Sequence, residues 1–323
     1  MIIRCDLCPK RCMIEPGQSG ECRIRVNLDG KLLAVSYGHP CTVHVDPIEK
    51  KPFFHFLPGS QSLSLATVGC NLHCKNCQNW EISQQNPEEV PSSLLSPVEI
   101  PRLAMEHGCQ SVSYTYTDPV VYYEYASDSS VCVRQAGLKN TLVTAGYINH
   151  QPWTELCEKV DAVRIDLKAL SDRFYQEICD ATLQPVLDSL VTARAVGLHI
   201  EVINLLIPTL NDSDQDIKAL CLWIVDNLGR EIPLHFSRFF PNYQMKNLPP
   251  TPATVLLRAR EIARNAGLYY VYLGNILVPD GQNTFCPQCG ELVVERRAYQ
   301  ILKNIIENGR CPRCNHEIYG VWV

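Results

Sequence analysis

The sequence lacks long apolar segments and carries little excess charge. No apolar run approaches the roughly 20 residues that a membrane helix needs, and the N-terminal stretch MIIRCDLCPKRC has no apolar signal region. The formal net charge is only -5 at pH 7, which gives no general attraction to nucleic acid or to an anionic membrane. We therefore expect a cytoplasmic protein with no nucleic-acid partner and no membrane partner.

Cysteine, by contrast, is abundant. The chain has 323 residues, of which 46% are apolar and 20% charged, as is ordinary for a globular protein. This composition excludes disorder, collagen and coiled coil as descriptions of the whole chain. Seventeen residues are cysteine, and the odd number excludes complete disulfide pairing within one chain. Because thiols stay reduced in the cytosol, clustered cysteines there indicate metal binding or catalysis.

Most of the cysteines fall into three clusters, and the rest are isolated. The clusters are Cys5, Cys8, Cys12 and Cys22, then Cys70, Cys74 and Cys77, and finally Cys286, Cys289, Cys311 and Cys314. The isolated cysteines mostly have apolar neighbours, so we interpret them as small buried side chains. Cys41 differs, because it lies in the loop-like stretch GHPCTVH near His44.

The C-terminal cluster consists of two C-P-x-C knuckles, CPQCG and CPRCN, separated by a segment that can form a hairpin and a short helix. Tetrahedral thiolate coordination needs two close pairs brought together, and this spacing supplies them. We predict a structural zinc ribbon. A rubredoxin-like iron site is the alternative, since four thiolates also suit iron.

The N-terminal cluster is less regular, with four cysteines spaced C-x2-C-x3-C-x9-C. Gly17 and Gly20 allow the chain to turn, so the four thiols can enclose a metal. A structural zinc, an auxiliary iron–sulfur cluster and unligated redox thiols all remain open, because spacing alone does not decide among them.

The middle cluster carries the chemistry. SLSLATV is a strand by residue type and alternation, and it ends at Gly69. The spacing C-x3-C-x2-C follows directly. Three thiolates leave one iron of a four-iron cubane without a protein ligand, and open coordination positions are where metal centres react. This motif after a first strand is typical of radical S-adenosylmethionine enzymes.

Strand and helix signals alternate through the rest of the chain. Strands are predicted near 61–69, 111–117, 140–145, 161–167, 198–207 and 233–240. Helices are predicted near 96–107, 120–137, 152–160, 172–197 with a break near Pro185, 213–228 and 252–266. The predicted fold class is α/β, a partial (β/α)6 TIM-like barrel with small Cys-rich metal-binding modules at both termini. We divide the chain into an N-terminal module, 1–55, a barrel, 56–279, and a C-terminal module, 280–323.

Ligands of such sheets bind at the carboxyl ends of the strands. Thr117 and Asp118 end the second strand, Asp166 and Lys168 end the fourth, and His235 lies in the sixth. Asp166 and Lys168 are two residues apart on a strand and therefore share a face. Such a pair can contact both the amine and the carboxylate of an amino-acid group. The KK of IEKKPFFHF is interpreted as a solvated or lid segment.

Several stretches together resemble a known family. They are DPIEKKPFFHFLPGS at 46–60, GCNLHCKNCQNWEIS at 69–83, YTYTDP at 114–119, RIDLK at 164–168, PLHFSRFFPNYQM at 233–245 and YLGN at 272–275. The chain resembles the activating-enzyme branch of radical S-adenosylmethionine proteins, typified by pyruvate formate-lyase activating enzyme. It resembles more closely the radical S-adenosylmethionine member of the AmmeMemoRadiSam gene set.

This resemblance implies a cofactor and its ligands. Cys70, Cys74 and Cys77 would ligate a [4Fe-4S] cluster, and the amine and carboxylate of S-adenosylmethionine would chelate its fourth iron. The cluster would cleave S-adenosylmethionine reductively to methionine and a 5′-deoxyadenosyl radical, which abstracts hydrogen from a substrate. The implied partners are a reductant such as flavodoxin or ferredoxin and proteins of the same gene set.

The resemblance also implies which residues bind S-adenosylmethionine. Thr117 and Asp118 stand where relatives carry a GGE-type motif that receives the methionine amine. Lys168 would lie near the methionine carboxylate, Asp166 would help to hold a monovalent cation, and His235 would lie near the ribose or adenine. The sequence departs from the family in two places. TDP replaces GGE, and Asn76 replaces the usual aromatic residue before the third cysteine, where Trp80 can substitute.

Three functions are consistent with the sequence. The radical can act on a small molecule or another macromolecule, or on a glycine of a partner protein, as in glycyl-radical activation. The third reading is a non-catalytic metal-binding or electron-transfer protein. We expect an oxidoreductase of the activating-enzyme type.

Overall fold

The computed structural model describes residues 1–322, and its strands form one large sheet and three small ones. The strands are β1 (Ile3–Arg4), β2 (Met13–Ile14), β3 (Arg25–Leu28), β4 (Lys31–Ala34), β5 (Thr42–Pro47), β6 (Gln61–Ala66), β7 (Ser111–Tyr114), β8 (Lys139–Thr144), β9 (Ala162–Asp166), β10 (His199–Leu206), β11 (Leu234–Arg238), β12 (Val271–Gly274), β13 (Thr284–Phe285), β14 (Leu292–Arg297) and β15 (Gln300–Asn304).

Helices follow most strands of the large sheet. They are α1 (Trp80–Ser83), α2 (Ile100–Glu106), α3 (Tyr123–Gln135), α4 (His150–Cys157), α5 (Asp172–Phe174), α6 (Gln184–Ala195), α7 (Asp214–Asn227) and α8 (Ala253–Asn265). Ser213 begins α7 by accepting a hydrogen bond from the Asp216 amide, as a helix N-cap does. No helix among the described residues is both long and apolar enough to cross a membrane.

The large sheet confirms the α/β partial-barrel prediction. Its order is β12-β11-β10-β9-β8-β7-β6-β5, and β6 to β12 are all parallel. Each of the six predicted strands is present within a few residues of its predicted position. Two strands of this sheet were missed, as were the short strands β1 to β4, and the short helix predicted between the C-terminal knuckles is absent from the described residues. β5 pairs antiparallel with β6, and β12 has only four residues and completes no strand–helix unit.

The predicted break in the long helix is also present. α5 runs into a π turn, Tyr175–Cys179, which ends at Asp180 in the left-handed conformation (φ 54°). α6 then begins at Gln184 with Pro185 in its first turn, where the missing N–H breaks no helical bond. The break therefore precedes Pro185, which belongs to the new helix.

The two terminal segments pack at opposite ends of the sheet. The N-terminal segment contacts loops at the carboxyl ends of the strands, where the Asn149 amide donates to the Leu7 carbonyl at 3.0 Å. The C-terminal segment contacts the amino ends, where the Ile200 amide donates to the Tyr319 hydroxyl at 2.9 Å. Because β5 belongs to the large sheet, residues before 55 share the barrel core. The three-part division of the chain stays a prediction.

Candidate active site

The three-cysteine loop begins where β6 ends. Gly69 has a φ of +91°, which an L side chain rarely adopts, and its amide donates to the Ile82 carbonyl at 2.8 Å. Further along, the amides of His73 and Lys75 donate to the carbonyls of Cys179 and Ile178 at 3.1 and 2.9 Å. These contacts fix the loop at both ends, so its cysteines are positioned by the folded backbone.

The spacing of the three sulfurs fits a cluster better than a single ion. Cys70, Cys74 and Cys77 are half-buried, and within residues 1–322 their sulfurs do not all lie within 4.8 Å of one another. In a cubane each thiolate binds a different iron, so the thiolates stand farther apart than around one ion. The donor set therefore fits a [4Fe-4S] cluster with one iron left open.

Neighbouring groups act on these thiols. Burial raises the pKa of Cys70 well above its usual range. A hydrogen bond from the Cys179 thiol lowers the pKa of Cys74 to about 7. Cys179 was interpreted from sequence only as a buried apolar residue, and its contact with Cys74 depends on the turn after α5.

Asp166 and Lys168 lie together beside the cysteine loop. The Lys168 ammonium is 3.1 Å from one carboxylate oxygen of Asp166, and Arg164 Nη1 is 2.7 Å from the other. Burial disfavours the Lys168 ammonium, but the charges of Asp166 and Cys74 outweigh it and raise the Lys168 pKa. The structure thus brings the predicted pair together and adds Arg164, which the sequence analysis did not select.

Thr117 and Asp118 lie at the same end of the sheet. The Thr117 hydroxyl donates to the Thr67 carbonyl at 2.8 Å, next to the cysteine loop. The Asp118 carboxylate accepts hydrogen bonds from the Thr144 hydroxyl and the Ala145 and Val120 amides. Burial raises the Asp118 pKa in spite of these donors. Both residues therefore help to fix the loops beside the three-cysteine loop, and their contact with the methionine amine stays a prediction.

His235 lies deeper than the other predicted residues. It is the second residue of β11, it is buried, and its Nε2 is 2.6 Å from the Glu201 carboxylate. Its ring packs edge-on against Phe54 at 4.9 Å between centroids. Burial lowers the His235 pKa, although Glu201 opposes the shift. A contact with the ribose or adenine stays a prediction.

The segment after β11 covers the cysteine loop. The Gln244 amide donates to the Lys75 carbonyl at 3.0 Å, and the Asn242 side chain donates to the Cys77 carbonyl at 3.3 Å. The rings of Trp80 and Tyr243 are stacked, 5.1 Å apart with 13° between their planes. The sequence shows these aromatic residues but not that they meet over the cluster motif.

Two polar side chains that the sequence analysis noted are buried. Lys51 is only 3% exposed and binds Asp46 at 2.6 Å, whereas Lys50 is exposed. The solvated interpretation is therefore wrong for Lys51, and the lid interpretation stays a prediction. Asn76 is 9% exposed, and its side-chain oxygen has no hydrogen-bond partner among the described residues. A buried polar atom without a partner is costly, which makes Asn76 a candidate ligand contact.

The C-terminal cysteines form a separate metal site at the other end of the sheet. The sulfurs of Cys286 and Cys314 are 3.5 Å apart, and those of Cys289 and Cys311 are 3.7 Å apart. All four ligand atoms lie within 4.8 Å of one another. Tetrahedral metal–sulfur bonds of 2.3 Å place sulfurs about 3.8 Å apart, so the four thiols fit one ion.

Comparison with known proteins agrees with this geometry. Residues 64–221 match the model of the radical SAM superfamily, the enzymes that use an iron–sulfur cluster and S-adenosylmethionine. An uncharacterized protein of Methanocaldococcus jannaschii is 46% identical over 98% of this chain and 95% of its own length. Residues 64–221 therefore form a radical SAM domain, and a domain of this family implies both cofactors.

More distant relatives support the same class. A pyruvate formate-lyase-activating enzyme of Clostridium pasteurianum is 23% identical over 47% of this chain and 64% of its own. Among solved structures, SuiB of Streptococcus suis bound to S-adenosylmethionine matches with a TM-score of 0.53 at 14% identity, over 71% of this chain and 53% of SuiB. A radical SAM methyltransferase from Sphaerobacter thermophilus also matches with a TM-score of 0.53, at 16% identity, over 68% of this chain and 67% of its own. At these identities the two structures establish the fold.

Proposed function

We propose that this protein is a radical S-adenosylmethionine enzyme whose cluster is ligated by Cys70, Cys74 and Cys77. The observation that carries the proposal is the loop of three cysteines after β6, fixed beside the Asp166–Lys168 pair at the carboxyl ends of the strands. When bound, the cluster and S-adenosylmethionine supply a one-electron reductive cleavage that gives methionine and a 5′-deoxyadenosyl radical.

The methionine end of the cofactor would be held by charged side chains. The Lys168 ammonium would bind its carboxylate. Asp118 would receive its amine, because a carboxylate has about four acceptor sites and Asp118 uses three of them. Two cationic side chains, Arg164 and Lys168, already bind the Asp166 carboxylate and compete with a metal cation for it. The role of Asp166 as a ligand of a monovalent cation stays a prediction.

The adenine end would be held without the usual aromatic residue. Asn76 supplies a buried amide whose oxygen is free to accept a hydrogen bond from an exocyclic amine. The stacked Trp80 and Tyr243 rings would exclude water from the same region, because together with Asn242 they cover the loop. Excluding water protects a radical from side reactions.

We propose that the radical acts on a small molecule or another macromolecule, which is modified together with partners of the AmmeMemoRadiSam set. We propose that the electron donor is a reductant such as flavodoxin or ferredoxin. Glycyl-radical activation is the second candidate, favoured by the similarity to pyruvate formate-lyase-activating enzyme. Coexpression with a glycyl-radical protein separates the two, because only the second candidate produces a glycyl radical signal in that partner.

We propose that the four C-terminal cysteines bind a zinc ion. Four thiolates at tetrahedral spacing, closed to further ligands, are typical of structural zinc sites. A rubredoxin-like iron would give the protein an iron atom without sulfide, which metal and sulfide analysis of the isolated protein detects.

The central test is turnover of S-adenosylmethionine. Anaerobically reconstituted protein with S-adenosylmethionine and a strong reductant should produce 5′-deoxyadenosine. Cys74→Ala should abolish the product, whereas the matched control Cys132→Ala, on α3 away from the loop, should retain it. Fully loaded protein that forms no 5′-deoxyadenosine would contradict the proposal and favour a non-catalytic metal-binding or electron-transfer protein.

A further inference from the structure

The N-terminal cysteines form a second site at the same end of the sheet as the three-cysteine loop. We propose that Cys5, Cys8, Cys12 and Cys22 bind a second iron–sulfur cluster. This inference goes beyond the proposed function, which needs only the cluster at Cys70, Cys74 and Cys77. Cysteine spacing along the chain leaves a structural zinc, an iron–sulfur cluster and unligated thiols open, and this inference selects the iron–sulfur cluster.

The four cysteines converge in space. All of them line one small cavity together with Arg25 and Asn71. Cys5, Cys8 and Cys22 are 7%, 9% and 9% exposed. The Cys5 amide donates to the Cys12 carbonyl at 2.9 Å, which closes the turn between the first three cysteines. Four thiols enclosed in this way form a built ligand set.

The distances between their sulfurs argue against a single ion. No three of these four sulfurs lie mutually within 4.8 Å in the described part of the chain. The C-terminal cysteines have sulfur pairs 3.5 and 3.7 Å apart, as one tetrahedral ion requires. The wider N-terminal spacing is shared with Cys70, Cys74 and Cys77. Because each thiolate of a cluster binds its own iron, wide spacing favours a cluster at both sites.

The surroundings suit a group with negatively charged sulfurs. Backbone N–H groups of Leu7 and Lys10 lie close to the sulfurs of Cys5 and Cys8, and those of Ile24 and Arg25 lie close to Cys22. N–H donors of this kind stabilise cluster thiolates and tune their reduction potential. Arg25 is 5% exposed and is held by two bonds to Glu124 at 2.6 and 2.7 Å, which places its charge beside the cavity.

This second site adjoins the three-cysteine loop. Asn71 directly follows Cys70, its side-chain amide donates to the Tyr147 carbonyl at 2.7 Å, and it lines the same cavity as Cys8. The Cys22 carbonyl lies against Gly69. A cluster here can take one electron from an external reductant and pass that electron to the neighbouring cluster, returning to its oxidised state with no bond made or broken. A structural zinc would offer no such step.

The test is made on full-length protein that cannot bind the first cluster. Cys70→Ala, Cys74→Ala and Cys77→Ala are combined, and the protein is purified and reconstituted anaerobically. We expect about four iron and four sulfide per chain, and after reduction an electron paramagnetic resonance signal from the remaining cluster. Two zinc ions per chain with neither iron nor sulfide would overturn the proposal.

Two double variants test the proposal independently, in case the triple variant does not fold. In otherwise unchanged protein, Cys8→Ser with Cys22→Ser should lower iron and sulfide to about half of the unmutated content of about eight each. Cys109→Ser with Cys132→Ser, outside both clusters, should leave the content unchanged. Unchanged iron in the first pair would also refute the proposal. If iron is about four in unmutated protein that still cleaves S-adenosylmethionine, the second cluster is absent and the proposed function stands.

Discussion

Gly69 and Cys22 are in direct backbone contact across the two cysteine sets. A Cβ at Gly69 would lie 2.6 Å from the Cys22 carbonyl oxygen and 2.5 Å from Ile24 Cγ1. Real Cβ atoms do not approach backbone this closely, and the φ of +91° adds strain for any L residue. The residue before the first cysteine of the three-cysteine loop therefore also sets the position of the N-terminal segment.

Gly69→Ala should destabilise the protein and lower its iron content. The left-handed φ alone costs about 1–3 kcal/mol, and displacement of Cys22 and Ile24 adds to this. Thermal unfolding and iron analysis measure the two effects. Gly137→Ala is the matched control, because its φ is +79° but no heavy atom lies within 4 Å of the new Cβ. Equal losses in the two variants would show that the contact with Cys22 does not matter.

Lys168→Gln should weaken binding of S-adenosylmethionine. A hydrogen bond to a charged group contributes about 1.5–3 kcal/mol, so the Kd should rise by about tenfold to a hundredfold, measured by calorimetry on the anaerobic cluster-loaded protein. Lys139→Gln removes an exposed lysine that pairs with Asp161 at 3.2 Å at the start of β8, and it should leave the Kd unchanged. An unchanged Kd in Lys168→Gln would exclude Lys168 from the carboxylate site.

Cys311→Ser should destabilise the whole barrel, not only the C-terminal segment. Arg296 in β14 donates to the Phe54 carbonyl at 2.6 Å, and the Val321 amide donates to the His55 carbonyl at 2.7 Å. Losing the ion loosens both contacts. In a chain of this size 1 kcal/mol corresponds to about 2 °C, and we expect the unfolding temperature to fall by at least about 5 °C. A separate low-temperature transition with the main one unchanged would show independent folding.

Stability should decline in mild acid because of His55. Its ring is buried between the Tyr319 carbonyl and the Tyr272 hydroxyl, and burial lowers its pKa to about 3. In the unfolded chain the His pKa is about 6.5, so between about pH 6.5 and 3 His55 is protonated in the unfolded chain but neutral in the folded one. The free energy of unfolding therefore decreases as the pH falls from about 6.5 towards 3. His55→Gln should show a shallower decline in chemical denaturation, and an equal slope would rule out His55 as the source.

Tyr243→Leu should expose the cysteine loop to oxidants. The variant loses the ring stacked on Trp80, so iron release in air should be several times faster, followed by the loss of cluster absorbance. Tyr269→Leu changes a tyrosine that is 42% exposed in the segment before β12, and it should release iron at the original rate. If the two variants release iron equally, Tyr243 does not shield the cluster.

Local patterns predicted much of the fold. The strands that lead into the site, β6 and β9, have apolar residues at alternating or successive positions, and this local pattern indicates a strand. β5 was missed because its polar residues, such as His44 and Asp46, become a strand only by pairing with β6. β12 was missed because it is short and is followed by no helix that would mark a repeating unit.

The candidate site was predictable where one segment supplies several ligands. Cys70, Cys74 and Cys77 share one loop, and Asp166 and Lys168 share one strand end, so sequence distance limits their separation in space. Arg164 could have been found by the same i, i+2 argument, since it shares a face with Asp166. Asn76 was noticed in the sequence, but its burial was not. Tyr243 and Cys179 gave no such signal, because their importance arises from contacts between distant segments.

By itself the sequence determined the three cysteine clusters and the alternating strands and helices, and it predicted an open coordination position at the middle cluster. Only the tertiary structure decided where the outer clusters lie. It places the C-terminal cysteines at the amino ends of the strands with sulfurs at single-ion spacing, and the N-terminal cysteines against Gly69 and Asn71 with sulfurs farther apart. The physical reason is that spacing along a chain limits the reach between sulfurs, whereas packing of distant segments sets the distance itself.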